Sequence, residues 1–147
     1  MPELTRRRYP ERPDCWHVYY GDVRVGTIAR RVGNPHDTDP WEWTCGFYPG
    51  CGPGEHQHAT AVTFDEARAD FEDAWRHLLP KRTEADFQAW RDQRAFTAWK
   101  YRMHDTGTPL PTQMASGRSR CFCGAAIDIA GVDQHIVDAH MMDLQAA

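Results

Sequence analysis

No stretch of this 147-residue sequence runs for about 18 apolar residues without interruption, so no segment is long and apolar enough to cross a bilayer as a helix. The opening residues, MPELTRRRYPERPD, carry four arginines and three acids but no apolar core of the kind a secretory leader needs. Residues 1–14 are therefore expected to form a flexible arm on a cytoplasmic protein without a membrane partner. A disulfide framework is also missing: five cysteines cannot all pair, and without an export signal they are expected as thiols or metal ligands. With 17 basic residues against 21 acidic ones, the net charge of −4 supplies no bulk attraction to phosphate backbones, so a nucleic-acid site would have to be local. Catalytic signatures are absent as well. There is no phosphate-binding loop, no G-x-S-x-G elbow, no H-E-x-x-H and no dinucleotide fingerprint.

What is present is globular, with 41% hydrophobic and 26% charged residues. CWHVYYGDVRVGTIARR reads as a β-hairpin, two runs of β-branched and aromatic residues about the turn Gly21-Asp22. The turn sets Tyr20 opposite Val23, Val18 opposite Val25 and Trp16 opposite Thr27, with Trp16, Val18, Tyr20, Val23 and Val25 on the core face. After the polar loop VGNPHDTDP, WEWTCGFY alternates Trp41, Trp43, Cys45 and Phe47 against polar or small residues, the period of a half-buried strand. HATAVTF suggests a fourth strand. Thr63 with Glu66 three residues on has capping-box spacing, and Phe64, Ala67, Phe71, Ala74, Trp75 and Leu78 form a helical stripe that Pro80 stops. A second helix is expected from Thr83, carrying Phe87, Trp90, Phe96, Trp99 and Met103 and ending near Gly107. The expected fold is α+β: a three- to four-stranded antiparallel sheet packed by two helices over residues 15–105, a linker over 106–118, and a small zinc-finger-like module over 119–147.

The module rests on CFCGAAIDIAGVDQHIVDAH, residues 121–140, where two cysteines one residue apart precede two histidines five positions apart. Structural zinc takes four thiolate and imidazole ligands in a tetrahedron, often a close cysteine pair and a close histidine pair about a dozen residues apart. Cys121, Cys123, His135 and His140 supply that set, which predicts a structural Zn2+ whose four positions are all filled by protein. Ile127 and Val132 take the apolar positions of a tiny core, and Gly124 suits the turn after the second cysteine. The cysteine gap is shorter than the usual two to four residues. Histidines five apart lie about 140° around an ideal helix, so the helix is expected to loosen before His140. A second cluster, Cys45, Cys51, His56 and His58, has no defensible ligand spacing and is expected as buried thiols with surface histidines.

Through Cys121, Cys123, His135 and His140 the C-terminal stretch resembles a degenerate two-cysteine two-histidine zinc finger, and more distantly the Ros/MucR family of bacterial zinc-finger regulators. In a finger aligned on His135, Asp128, Ala130, Gly131 and Gln134 would face bases, and Asp133, Asp138 and Asp143 add acids that repel phosphate. The segments WHVYYGDVRVGTIARR, GFYPG, TFDEARADFEDAW and KRTEADFQAWRDQR resemble a group of small hypothetical proteins of soil alphaproteobacteria, which implies a bacterial intracellular protein and no chemistry. The order of three strands and a helix is similar to small nucleic-acid-binding sheets such as the integrase arm-binding domain, but fold-level analogy does not carry function.

The function expected first is that of a non-enzymatic zinc-binding protein acting as a binding or adaptor module, with another protein as partner. The alternative is a nucleic-acid-associated transcriptional regulator of Ros/MucR type, using Arg91, Arg94, Lys100 and Arg102 with His104 on the second helix and Arg6, Arg7 and Arg8 in the arm. Cations near a helix C-terminus also simply complement its dipole. A second alternative is an enzyme, with Cys15 and His17, or Cys51 and His56, as thiol and base; no third group orients either pair.

Overall fold

The computed structural model describes residues 3–33 and 38–145, the side chains of 142–145 excepted. Residues 34–37 of the expected polar loop and the side chain of Asp143 therefore lie outside the described residues. The chain divides into two compact units, Met1–Trp90 and Arg91–Ala147. No helix among the described residues is long and apolar enough to cross a membrane.

The first unit is a five-stranded antiparallel sheet, β1 (Leu4–Arg8), β2 (Cys15–Tyr20), β3 (Val23–Arg30), β4 (Trp41–Cys45) and β5 (Gln57–Ala61), in sequential order, followed by helix α1 (Phe64–Leu78). The fold class is the expected α+β, with one strand more than the sequence suggests. That strand comes from the supposed flexible arm, whose Leu4–Arg8 pairs with β2. A run of three arginines carries no apolar alternation, so it does not read as a strand. Here it forms a sheet edge, where backbone pairing supplies the order and charge on the strand is normal. The guanidinium groups lie on aromatic rings, Arg6 5.0 Å from the Phe64 centroid and Arg7 4.5 Å from that of Tyr19.

The Gly21-Asp22 turn holds, and Tyr20 faces Val23 as expected. Beyond it the expected register fails, because the ladder shifts between Val18 and Tyr19: Val18 faces Gly26 and Trp16 faces Ile28. The extra residue on β3 is a β-bulge, which lets Val25 stay inward while bringing Ile28, in place of Thr27, into the core. Gly26 lies beneath the Phe71 ring of α1, and a Cβ there would collide with that ring and with the Thr44 carbonyl oxygen. No larger residue fits.

Thr63 caps α1, its hydroxyl accepting from the Glu66 N–H at 3.1 Å, while the Glu66 carboxylate accepts from the Val62 N–H at 3.2 Å. The stripe of Ala67, Phe71, Ala74, Trp75 and Leu78 is buried as expected and shares its core with Val18, Val25, Ile28 and Trp43 from the sheet and Phe47 from the loop after β4. A short 3-10 turn, Leu79–Lys81, absorbs Pro80 before helix α2 (Glu84–Asp105). Thr83 and Asp86 cap α2 reciprocally: Asp86 N–H donates to the Thr83 hydroxyl at 3.3 Å and Thr83 N–H to the Asp86 carboxylate at 2.8 Å. Residues 84–90 of α2 belong to this unit. Arg82, its side chain 6% exposed, donates to the Gly50 carbonyl and the Glu55 carboxylate, tying the glycine-rich loop to the start of α2.

The second unit contains residues 91–105 of α2, the two-stranded sheet of β6 (Arg118–Arg120) and β7 (Ala126–Asp128), and helix α3 (Val132–Gln145). Its core is Ala95, Trp99, Met103, Cys121, Ile127 and Ile136. The later half of α2 packs with the segment that carries Cys121, and residues 106–118 include the 3-10 turn Pro111–Gln113. Helix spacing alone cannot tell which segment a stripe will cover.

Candidate metal centre

Cys121 and Cys123 lie between β6 and β7, on a tight turn in which the Gly124 N–H donates to the Cys121 carbonyl at 2.8 Å and the Cys121 N–H to the Ala125 carbonyl at 2.9 Å. Gly124 holds φ at +94°, a conformation open to glycine and strained for other residues, so the one-residue cysteine gap depends on it. His135 and His140 project from α3. Asp128, the last residue of β7, closes the turn that leads into that helix, its carboxylate accepting from the Gly131 N–H at 2.6 Å.

The four side chains converge. Their donor atoms all lie within 4.8 Å of one another. Cys121 Sγ is 3.3 Å from His140 Nε2, Cys123 Sγ is 3.6 Å from His135 Nε2, and the two Nε2 atoms are 3.2 Å apart. A tetrahedral ion bound at about 2.3 Å to sulfur and about 2.0–2.1 Å to nitrogen separates a sulfur from a nitrogen by about 3.6 Å and two nitrogens by about 3.3 Å. The three close separations lie within about 0.3 Å of those edges and all six pairs within 4.8 Å, so the four side chains are compatible with a shared metal ion. The expected loosening of the helix is not found. α3 is continuous through His140, and the imidazole side chains take up the angular difference instead.

The centre is half inside and half outside. Cys121 and His140 are buried, His135 is half-buried and Cys123 is exposed. The Phe122 ring packs against His140 with centroids 4.7 Å apart, and the Arg102 guanidinium lies over the same ring, 4.9 Å from its centroid. From α2, the Trp99 indole N–H donates to Cys121 Sγ at 3.3 Å. Sequence reading places Trp99 on a core stripe but gives no sign of this bond, because its partner lies 22 positions away.

The other candidates do not assemble. No second group among the described residues brings three potential ligands together, and Cys45 and Cys51 are buried while His56 and His58 are exposed. Burial first, and the neighbouring Cys51 second, push the Cys45 thiol up to about 12, so it stays protonated at neutral pH. Cys15 is buried, and His17 stacks on Tyr9 at 4.7 Å with its pKa lowered by burial and then by Arg24. Of the cations on α2, Arg91 and Arg94 have partners, Lys100 lies over Phe96 at 5.3 Å and Arg102 over Phe122. Two positions that would face bases are engaged locally, Asp128 with Gly131 and Gln134 with Asp138 at 2.8 Å. Compared with models of protein families, with curated proteins and with solved structures, the chain matches none.

Proposed function

We propose that Cys121, Cys123, His135 and His140 hold one zinc ion as a structural centre, and that the protein is a non-enzymatic binding module whose partner is another protein. The observation that carries the metal reading is the convergence of two thiol sulfurs and two imidazole nitrogens within 4.8 Å, with three of the separations, 3.3, 3.6 and 3.2 Å, close to the edges of a thiolate–imidazole tetrahedron. Zinc suits mixed sulfur and nitrogen ligands, and four protein donors leave no open position for a substrate or an activated water. When bound, the ion supplies cross-linking of the β6–β7 turn to α3 rather than reactivity.

A binding role is supported by an open groove of about 560 Å³ in the second unit, with Lys100, Tyr101, His104, Pro109 and Leu110 in its wall. Tyr101 is 69% exposed there, and an exposed aromatic beside a cation is typical of contact surfaces. The regulator reading is less favoured, because the α2 arginines and two of the four base-facing positions already have partners and α3 carries an acid, Asp133, in its first turn.

Metal analysis of the purified full-length protein tests the centre. One zinc per chain is expected, falling to near zero in Cys121→Ala and His135→Ala; equal zinc in all three proteins ends the reading. Retention on immobilised DNA or RNA that weakens as salt rises would replace the protein-partner reading with the nucleic-acid one.

A further inference from the structure

The indole N–H of Trp99 points at a sulfur, and that contact is as specific as any between the four ligands. Trp99 is 1% exposed and Cys121 3% exposed, and the 3.3 Å between Nε1 and Sγ is a hydrogen-bonding distance for a sulfur acceptor. Indole has a single N–H and no acceptor, and burying it without a partner would leave a polar group unsatisfied. Here the partner is a metal-ligand sulfur. Of the other residues in this core, Ala95, Ile127 and Ile136 have no side-chain acceptor and Met103 offers only a weak thioether one.

We propose that Trp99 is a positioning residue for the metal centre, donating a hydrogen bond to the Cys121 thiolate so that this sulfur is held toward His140 and the ion is bound more tightly. The proposal rests on the zinc reading above and extends it outside the finger-like segment, to residues 91–105 of α2. Ligand sulfurs and imidazoles are generally oriented by hydrogen bonds from groups that do not touch the ion, and losing one such partner weakens metal affinity by about 10- to 100-fold. A self-contained finger draws such bonds from its own turn. In this chain a buried side chain 22 positions upstream supplies one to Cys121.

The test uses the full chain with Trp99→Phe, which keeps an aromatic ring in the core and removes the donor. Zinc affinity is measured by competition with a chromophoric chelator, and the Co2+-substituted protein is examined for its sulfur-to-metal charge-transfer band. The expected result is about tenfold weaker zinc binding and a shifted charge-transfer band, at unchanged stoichiometry. Should the smaller ring loosen the fold, site-specific replacement of Trp99 by 3-benzothienylalanine preserves the bicyclic shape without an N–H and is expected to give the same two changes. Affinity within twofold of wild type and an unshifted band in the folded isostere would overturn the proposal, while zinc lost only in Cys121→Ala would leave the centre standing. Absence of zinc from wild type would remove both.

Discussion

The two units solve the same problem with different chemistry. Among the described residues, fifteen buried side chains form the core of the first unit and six that of the second, where one of the six is Cys121, whose sulfur faces the buried His140. Fifteen residues that include Phe47, Phe71, Trp43 and Trp75 can support a sheet and a helix by apolar burial, at roughly 1.5–3 kcal/mol for each large side chain. Six cannot carry two three-residue strands and two helical segments on that basis, and small cores generally need a staple. On the coordination proposed above, the second unit would be conditional on an ion, whereas the first has a core large enough to rest on packing.

The largest expected effect breaks the symmetry of that comparison. Stripping zinc with a strong chelator should cost the second unit about 10 kcal/mol of local stability. The exposed Cys123 gives the chelator access. Amide exchange should then lose protection over 91–145 and keep it over β2–β4 and α1, since the two cores share no residue. Uniform loss of protection across both units would show that they fold as one.

The converse change is Phe71→Ala, which empties the centre of the first core beneath Gly26 and beside Trp43, whose ring centroid is 6.3 Å away. A cost of about 3–5 kcal/mol is expected, read as a fall in the urea midpoint of amides in β3 and α1. Zinc content should not change. A variant that loses zinc along with its first core would contradict the separate bookkeeping of the two regions.

Legibility in the sequence followed the same divide. Periodic apolar patterns carried the first unit: the Gly21-Asp22 hairpin, the β4 alternation and the α1 stripe are all in place. What was hidden there had no apolar signal. β1 is an edge of arginines held by backbone pairing and ring stacking, and the bulge at Val25 is invisible to a strict two-residue period. Arg82 was also missed, because nothing local marks an arginine that bridges Gly50 and Glu55. In the second unit the clustering of Cys121, Cys123, His135 and His140 was readable from spacing, since a metal would constrain residue type and separation together. Trp99 and the rest of the supporting core were not, because the hydrogen bond and the packing that recruit α2 are long-range.

The smallest expected effect concerns acid, and it sharpens the comparison because the two units should respond by different routes. In the first unit the Glu55 carboxylate accepts from the Gly52 N–H at 2.5 Å and from Arg82, and these hold its pKa below the ordinary value, the Gly52 bond contributing most. A carboxylate with a lowered folded pKa adds stability that is fully present above its unfolded pKa, about 4.3, and is lost as pH falls through the lower folded value. Glu55→Gln should therefore be less stable than wild type at pH 7, with the difference closing below about pH 4.3. Measured on amides of β4 and α1, that closing should not depend on zinc concentration. In the second unit protons compete with the metal for the same donors, so its acid midpoint should move down as free zinc is raised. Coincident midpoints in both units at every zinc concentration would mean that one acid-sensitive group governs the whole chain, and would leave the division into a packed half and a coordinated half without support.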